Sequence, residues 1–251
     1  MTIGLSGMRV PVLRYRIPGR TLALGRRGSV PTLIQRHSRM IARSRRRTMT
    51  VSGYSAALRS GEPPQNAVVI TLDGEHAEVL DAARRLADQG LTATVFVATS
   101  RIGAPGMLRD TDLYLLSGMG IEIGARGHTG RRLDKLPRPD VTAEITLCRR
   151  RLAALTGEHT RAFAYPQGGY DTAVRQLVIA TGYASACALG EALSHPADDP
   201  FALTRLTVDT HLTDQRLLAW LAGVGRVTPR RRPPQAARRT PHRPSVRGRT
   251  A

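Results

Sequence analysis

Ala67, Val68, Val69 and Ile70 run into Thr71 and Leu72 without a charge, and the run stops at Asp73-Gly74-Glu75-His76. An apolar stretch that does not alternate predicts a strand buried on both faces, as in a parallel sheet or barrel. A helical pattern follows at once, with Val79, Leu80, Ala83, Leu86 and Ala87 on one face and Gly90 as its stop. The order then repeats. Residues 92–97 predict a strand, 111–117 a helix and 120–124 a brief strand. Pro139 and Asp140 open a helix that carries Val141, Ile145, Cys148, Leu152 and Leu155 along one side, with Gly157 beyond its end. Strands at 162–165, 183–189 and 203–208 and helices at 171–181 and 214–221 complete the series. Upstream, a first strand is expected at 10–15, a loose helix at 33–41, a strand at 48–51, and a short helix to Leu58 capped by Ser52. Such alternation favours an α/β fold built on a parallel sheet or barrel.

Charge divides the chain into three. The formal net charge is +19, yet residues 1–61 hold 13 Arg and no acid, and residues 226–251 hold 9 Arg and no acid. All 19 acidic residues therefore fall in the middle, which is about neutral. The expected organisation is a basic N-terminal segment at 1–32, a folded domain at 33–225, and an Arg/Pro-rich disordered tail at 226–251. The flanks lack the aromatic interleaving of single-strand binders, so nucleic acid is the less favoured partner. Cys148 and Cys187 form no C-x-x-C or zinc-knuckle spacing. No run approaches the roughly 20 apolar residues of a membrane span, and residues 1–13 show no secretion signal, which leaves a cytoplasmic location by default.

Asp73 is the candidate for chemistry. A carboxylate at the carboxyl end of a buried parallel strand is where α/β folds place their sites; the competing reading is that it caps the next helix.

Several strand ends carry further cues. Val10-Pro11-Val12-Leu13-Arg14-Tyr15 resembles the opening strand of the polysaccharide deacetylase family (the NodB-homology domain), and 67–73 resembles the approach to its first motif, Thr-Phe-Asp-Asp-Gly. Residues 91–97 are similar to its Pro-Ala-Thr-Phe-Phe-Val strand, and 121–133 to the segment holding its His-x-x-x-His pair. Phe163-Ala164-Tyr165-Pro166-Gln167-Gly168 is close to its third motif, and 199–208, with Leu203 and Arg205, to its closing strand. The resemblance implies a distorted (β/α) barrel of the glycoside hydrolase/deacetylase type. It also implies hydrolysis of N- or O-acetyl groups on a carbohydrate, in the N-acetyl case by a hydrolase of non-peptide carbon–nitrogen bonds. In that chemistry a zinc ion on one Asp and two His polarises the carbonyl and activates water. Carried across, the general base is Asp73, and the backbone N–H of Gln167 helps hold the oxyanion. Tyr165, Pro166, Gly168 and Arg205 would line the substrate groove.

The metal positions depart from the pattern. They fall on Gly74, Arg126 and Gly130, two residues without side chains and one fixed cation, none of which ligates a divalent ion. Arg16 stands where relatives often have His, and the late catalytic His has only His211 as a candidate. Three readings follow. The first is a pseudoenzyme that binds carbohydrate or regulates, without a cofactor. The second is an enzyme whose zinc has moved to Glu75, His76 and His128. The third is an anionic-polymer or nucleic-acid binder working through the Arg-rich flanks. In the first reading Arg126 could fill the vacated space and pair with Asp73.

Overall fold

The computed structural model describes residues 9–19, 30–62 and 64–226. The C-terminal tail and most of the basic N-terminal segment thus lie outside the described residues. Eight strands form one sheet in which all the pairings are parallel: β1 (Val12–Arg16), β2 (Arg47–Met49), β3 (Ala67–Asp73), β4 (Thr94–Val97), β5 (Glu122–Ala125), β6 (Ala162–Ala164), β7 (Ser185–Cys187) and β8 (Leu206–Val208). Seven α-helices accompany them: α1 (Val30–Arg43), α2 (Val51–Arg59), α3 (Glu78–Ala87), α4 (Asp110–Gly118), α5 (Arg138–Thr156), α6 (Thr172–Ala180) and α7 (Asp214–Leu221).

The strands run β7-β6-β5-β4-β3-β1-β8 across the sheet. β3 is long enough for two neighbours on one edge: β2 pairs along Ala67–Val69 and β4 along Thr71–Asp73. The far edges also meet. Leu203 forms a parallel bridge with Cys187, and its N–H donates to the Ala186 carbonyl at 3.0 Å, just ahead of β8. The sheet therefore curls into the distorted (β/α) barrel expected from the sequence.

Strand alternation sorts the side chains into two apolar groups. Val12, Val69, Phe96, Ala162, Ala164 and Cys187 pack inside the barrel, and Val51 and Tyr54 of α2 join them from below. Leu13, Tyr15, Ile70, Leu72, Val95, Phe163 and Tyr165 face the other way, into the helix layer. The interior is tight. A Cβ on Gly124 would strike the Phe96 ring, so only glycine lets that ring lie across β5. Both cysteines are free and buried, and burial pushes each thiol up to about 12.

Local signals set the helix ends. α5 has Pro139 in its first turn and closes at Gly157, whose φ of 73° is left-handed and favours glycine. Asp171 and Thr213 cap α6 and α7 through their side chains. The cap of α2 is Thr50, not Ser52 as expected: the Thr50 hydroxyl accepts from the Gly53 N–H at 3.1 Å. The Ser52 N–H instead donates to Glu122 at 3.3 Å. Among the described residues no helix is long and apolar enough to cross a membrane.

Candidate functional site

Asp73 is the last residue of β3 and lies at the carboxyl end of the barrel, inward-facing and 3 % exposed. It does not cap a helix, because α3 begins at Glu78 with Ala77, four residues after Asp73, at its N-cap position. Its neighbours are guanidiniums. Arg14 of β1 donates through Nε to Oδ2 at 2.7 Å, and Arg205, just before β8, donates through Nη1 to Oδ1 at 2.6 Å. Alternation explains why they meet: Val12 and Arg14 on β1, and Leu203 and Arg205 beside β8, share the interior face. Arg205 is 1 % exposed; it also donates to the Ala188 carbonyl at 3.2 Å and lies over the Phe96 ring at 5.4 Å. Burial alone would raise the Asp73 pKa. Arg205, Arg14 and, less strongly, Arg126 outweigh it and hold the carboxyl below the usual range.

A second ion pair sits beside the first. Glu75, buried, accepts from Arg126 Nη2 at 2.6 Å and lies 3.7 Å from Arg101 Nη1. Arg126 follows directly after β5, where its backbone N–H donates to the Val97 carbonyl at 2.9 Å. The anticipated Arg126–Asp73 pair is thus replaced by Arg126–Glu75, and Arg126 acts on Asp73 only through its field. The Arg126 Nε–H is buried and has no acceptor among the described residues.

The expected metal positions have the following geometry. A Cβ at Gly74 would sit 2.9 Å from the Ile17 carbonyl oxygen and 3.2 Å from Val79 Cγ2. Gly130 has a left-handed φ of 75°. The three relocated candidates are engaged separately: Glu75 with Arg126, His128 Nδ1 with Thr99 Oγ1 at 2.9 Å, and His76 in an antiparallel bridge to Met107 with its ring over Gly19. Among the described residues no group of three or more His, Cys, Asp or Glu is placed to hold an ion. His211 is exposed on the turn after β8, and Arg16, also exposed, lies in register with Asp73.

The groove expectations need correction. Tyr165 and Pro166 are buried. Tyr165 shares the outward face of β6 with Phe163, stacks on Tyr170 at 4.2 Å and donates to the Phe201 carbonyl at 3.0 Å, so it belongs to the helix-side core. Arg205 is likewise enclosed rather than groove-lining. Gln167 is exposed on a tight 3-10 turn with φ 54°, and Gly168 follows it, partly buried. A left-handed non-glycine residue costs about 1–2 kcal/mol.

Sequence reasoning passed over two residues. Arg14 was readable from alternation, as a charge on the same face as Val12 in an otherwise apolar strand. Glu144 of α5, 2 % exposed, accepts from the Thr129 N–H at 2.8 Å and from the Thr129 hydroxyl, which pins the loop after β5. Away from Asp73, a cavity of about 660 Å³ opens at the amino ends of β5 and β6, lined in part by Thr50, Glu122, His159 and Arg161. None of the expected site residues borders it.

The family model for polysaccharide deacetylase matches residues 60–186, just over half of the chain. This chain belongs to the polysaccharide deacetylase family. Solved structures of similar architecture bear out the fold. The Streptococcus pyogenes deacetylase PplD in complex with acetate superposes with a TM-score of 0.77 at 19% identity, covering 84% of this chain and 97% of that one. IcaB from Ammonifex degensii gives 0.72 at 18% identity over 86% and 97%. The putative polysaccharide deacetylase BA0330 from Bacillus anthracis gives 0.71 at 17% over 85% and 69%. At these identities the likeness speaks for the fold. No curated protein matches the sequence.

Proposed function

We propose that this polysaccharide deacetylase-family chain holds an acetylated carbohydrate at the carboxyl end of its barrel and does not hydrolyse it by the family's metal route. The observation that carries the reading is Gly74. The family position for the ligating carboxylate has no side chain here, and a Cβ there would meet the Ile17 carbonyl at 2.9 Å, so β1 has closed over the space a ligand would need. The other two positions offer a guanidinium engaged with Glu75 and a glycine. This donor set does not fit a divalent cation, because a fixed positive charge beside the site repels one. Asp73 is retained, but each of its oxygens accepts from a guanidinium and its proton affinity is held low, which makes it a weak general base.

Acetylated carbohydrate as the ligand comes from family membership. The test is zinc content after reconstitution, acetate release from an N-acetylated oligosaccharide, and binding of that oligosaccharide by calorimetry, for wild type and Asp73→Asn. The expected result is binding without stoichiometric zinc or acetate. Zinc uptake together with acetate release that Asp73→Asn abolishes would overturn the reading, and would favour a catalyst with its metal elsewhere.

A further inference from the structure

Four guanidiniums, those of Arg14, Arg101, Arg126 and Arg205, surround two carboxylates, Asp73 and Glu75. No other Asp or Glu side chain contacts these arginines among the described residues, and no acidic residue of the chain lies outside them. The cluster therefore carries two formal positive charges more than its carboxylates, one of them on the half-exposed Arg101. Three of the four arginines are largely enclosed, with side chains 14%, 18% and 1% exposed for Arg14, Arg126 and Arg205. Unbalanced charge in such a place is costly unless an anion completes it.

The donors to receive that anion are present. Arg14 commits Nε to Asp73, and its terminal nitrogens have no acceptor among the described residues. Arg126 commits Nη2 to Glu75, and its Nη1 has no acceptor among the described residues; its Nε is buried. Arg14 leaves β1 and Arg126 leaves β5, with two strands between them at the same carboxyl end of the sheet, and Arg16 stands exposed on the same face of β1 as Arg14. The planar fork of arginine is suited to two-oxygen acceptors, so the complementary group is a carboxylate or phosphate.

We propose that this arginine cluster at the carboxyl end of the barrel binds a carbohydrate bearing an oxyanion, carboxylate or phosphate, with that group seated on Arg14 and Arg126 where the family would hold a cation. This rests on the reading above that this end of the barrel takes sugar without a metal. Charge reversal at the centre of the site then sets specificity: an acidic sugar is accepted and a neutral N-acetylated one is bound weakly.

Calorimetry on the full chain tests this with four probes: chitotetraose (neutral and N-acetylated), hyaluronan tetrasaccharide (N-acetyl plus carboxylate), N-acetylglucosamine 6-phosphate, and inorganic phosphate alone. At least one acidic sugar is expected to bind on the order of tenfold more tightly than chitotetraose, the size of one charge-assisted contact. Whichever of the two binds more tightly identifies carboxylate or phosphate. The preference should fall between about 0.05 and 0.5 M salt. Arg14→Gln and Arg126→Gln should each remove most of it, while Arg150→Gln on the outer face of α5 should leave it intact. Equal affinity for neutral and acidic sugars overturns the charge assignment but leaves sugar binding standing. Inorganic phosphate binding as tightly as the sugars overturns the carbohydrate part. Should a Gln variant fail to fold, the wild-type preference and its salt dependence still decide. Zinc-dependent acetate release overturns the underlying reading instead.

Discussion

Replacing Arg205 with Met isolates the energetics of the barrel's polar centre. Arg205→Met keeps most of the buried volume over Phe96 but removes the 2.6 Å contact to Asp73 Oδ1 and the 3.2 Å contact to the Ala188 carbonyl. Asp73 keeps only Arg14 as a direct ionic partner. Breaking a buried pair from one side costs about 3–5 kcal/mol, because the remaining charge stays desolvated. Arg14 offsets part of this, so we expect a loss of about 2–4 kcal/mol. Asp73→Asn should also destabilise, since it strands two guanidiniums. The informative quantity is the coupling between them. Urea unfolding of wild type, both single variants and the double variant at pH 7 should give an interaction energy of about 2 kcal/mol or more. Additivity within about 0.5 kcal/mol would refute the claim that the two side chains act as one unit. The pH dependence supplies a second check. A carboxyl whose folded pKa is depressed contributes stability above its ordinary value of 3.8 and loses it as pH falls through the lower folded value. The gap between wild type and Arg205→Met should therefore narrow in that acid window and be steady above pH 5.

Three further outcomes are expected. Gly74→Ala should cost about 1–3 kcal/mol by overpacking against the Ile17 carbonyl, read as a drop in Tm, where an unchanged Tm would mean that β1 gives way freely. Glu144→Gln should raise hydrogen-exchange rates across residues 126–131 and cost about 1–3 kcal/mol, because it weakens the buried acceptor of both Thr129 donors; unchanged exchange would show that the loop is held by other contacts. His37 lies on the inner face of α1 and is wholly buried, its Nδ1 3.1 Å from the Tyr15 hydroxyl, and burial drives its pKa down to about 4. Folding then excludes a proton that the unfolded chain binds, so stability should fall by at most roughly 3 kcal/mol between pH 6.5 and 4, and His37→Asn should flatten that slope in urea titrations.

The backbone was largely legible in the sequence because its signals are local. The unbroken run before Asp73 specified a strand buried on both sides, and Gly157 and Asp171 marked helix ends. What failed to show was pairing at a distance. Arg14 and Arg205 stand 59 and 132 residues from Asp73, and only the curl of the sheet brings the three strand ends together. Arg126 went to Glu75 rather than Asp73 because Asp73 is already filled from both sides, which cannot be known before Arg14 is placed. Tyr165 was misassigned for a plainer reason. The motif Phe-Ala-Tyr-Pro suggests a groove, but period-two alternation turns residues 163 and 165 to the helices and 162 and 164 to the interior.

The closeness of Ile17 to Gly74 bears on how such a protein can evolve. Introducing an aspartate at 74 by one mutation would collide with the exit of β1 before any ligand geometry was gained. Displacing that exit first would disturb Arg14 and Arg16, which leave the barrel on the same strand. Each step toward a carboxylate at this position is opposed by its neighbours, so with this packing such a residue is out of reach of single substitutions.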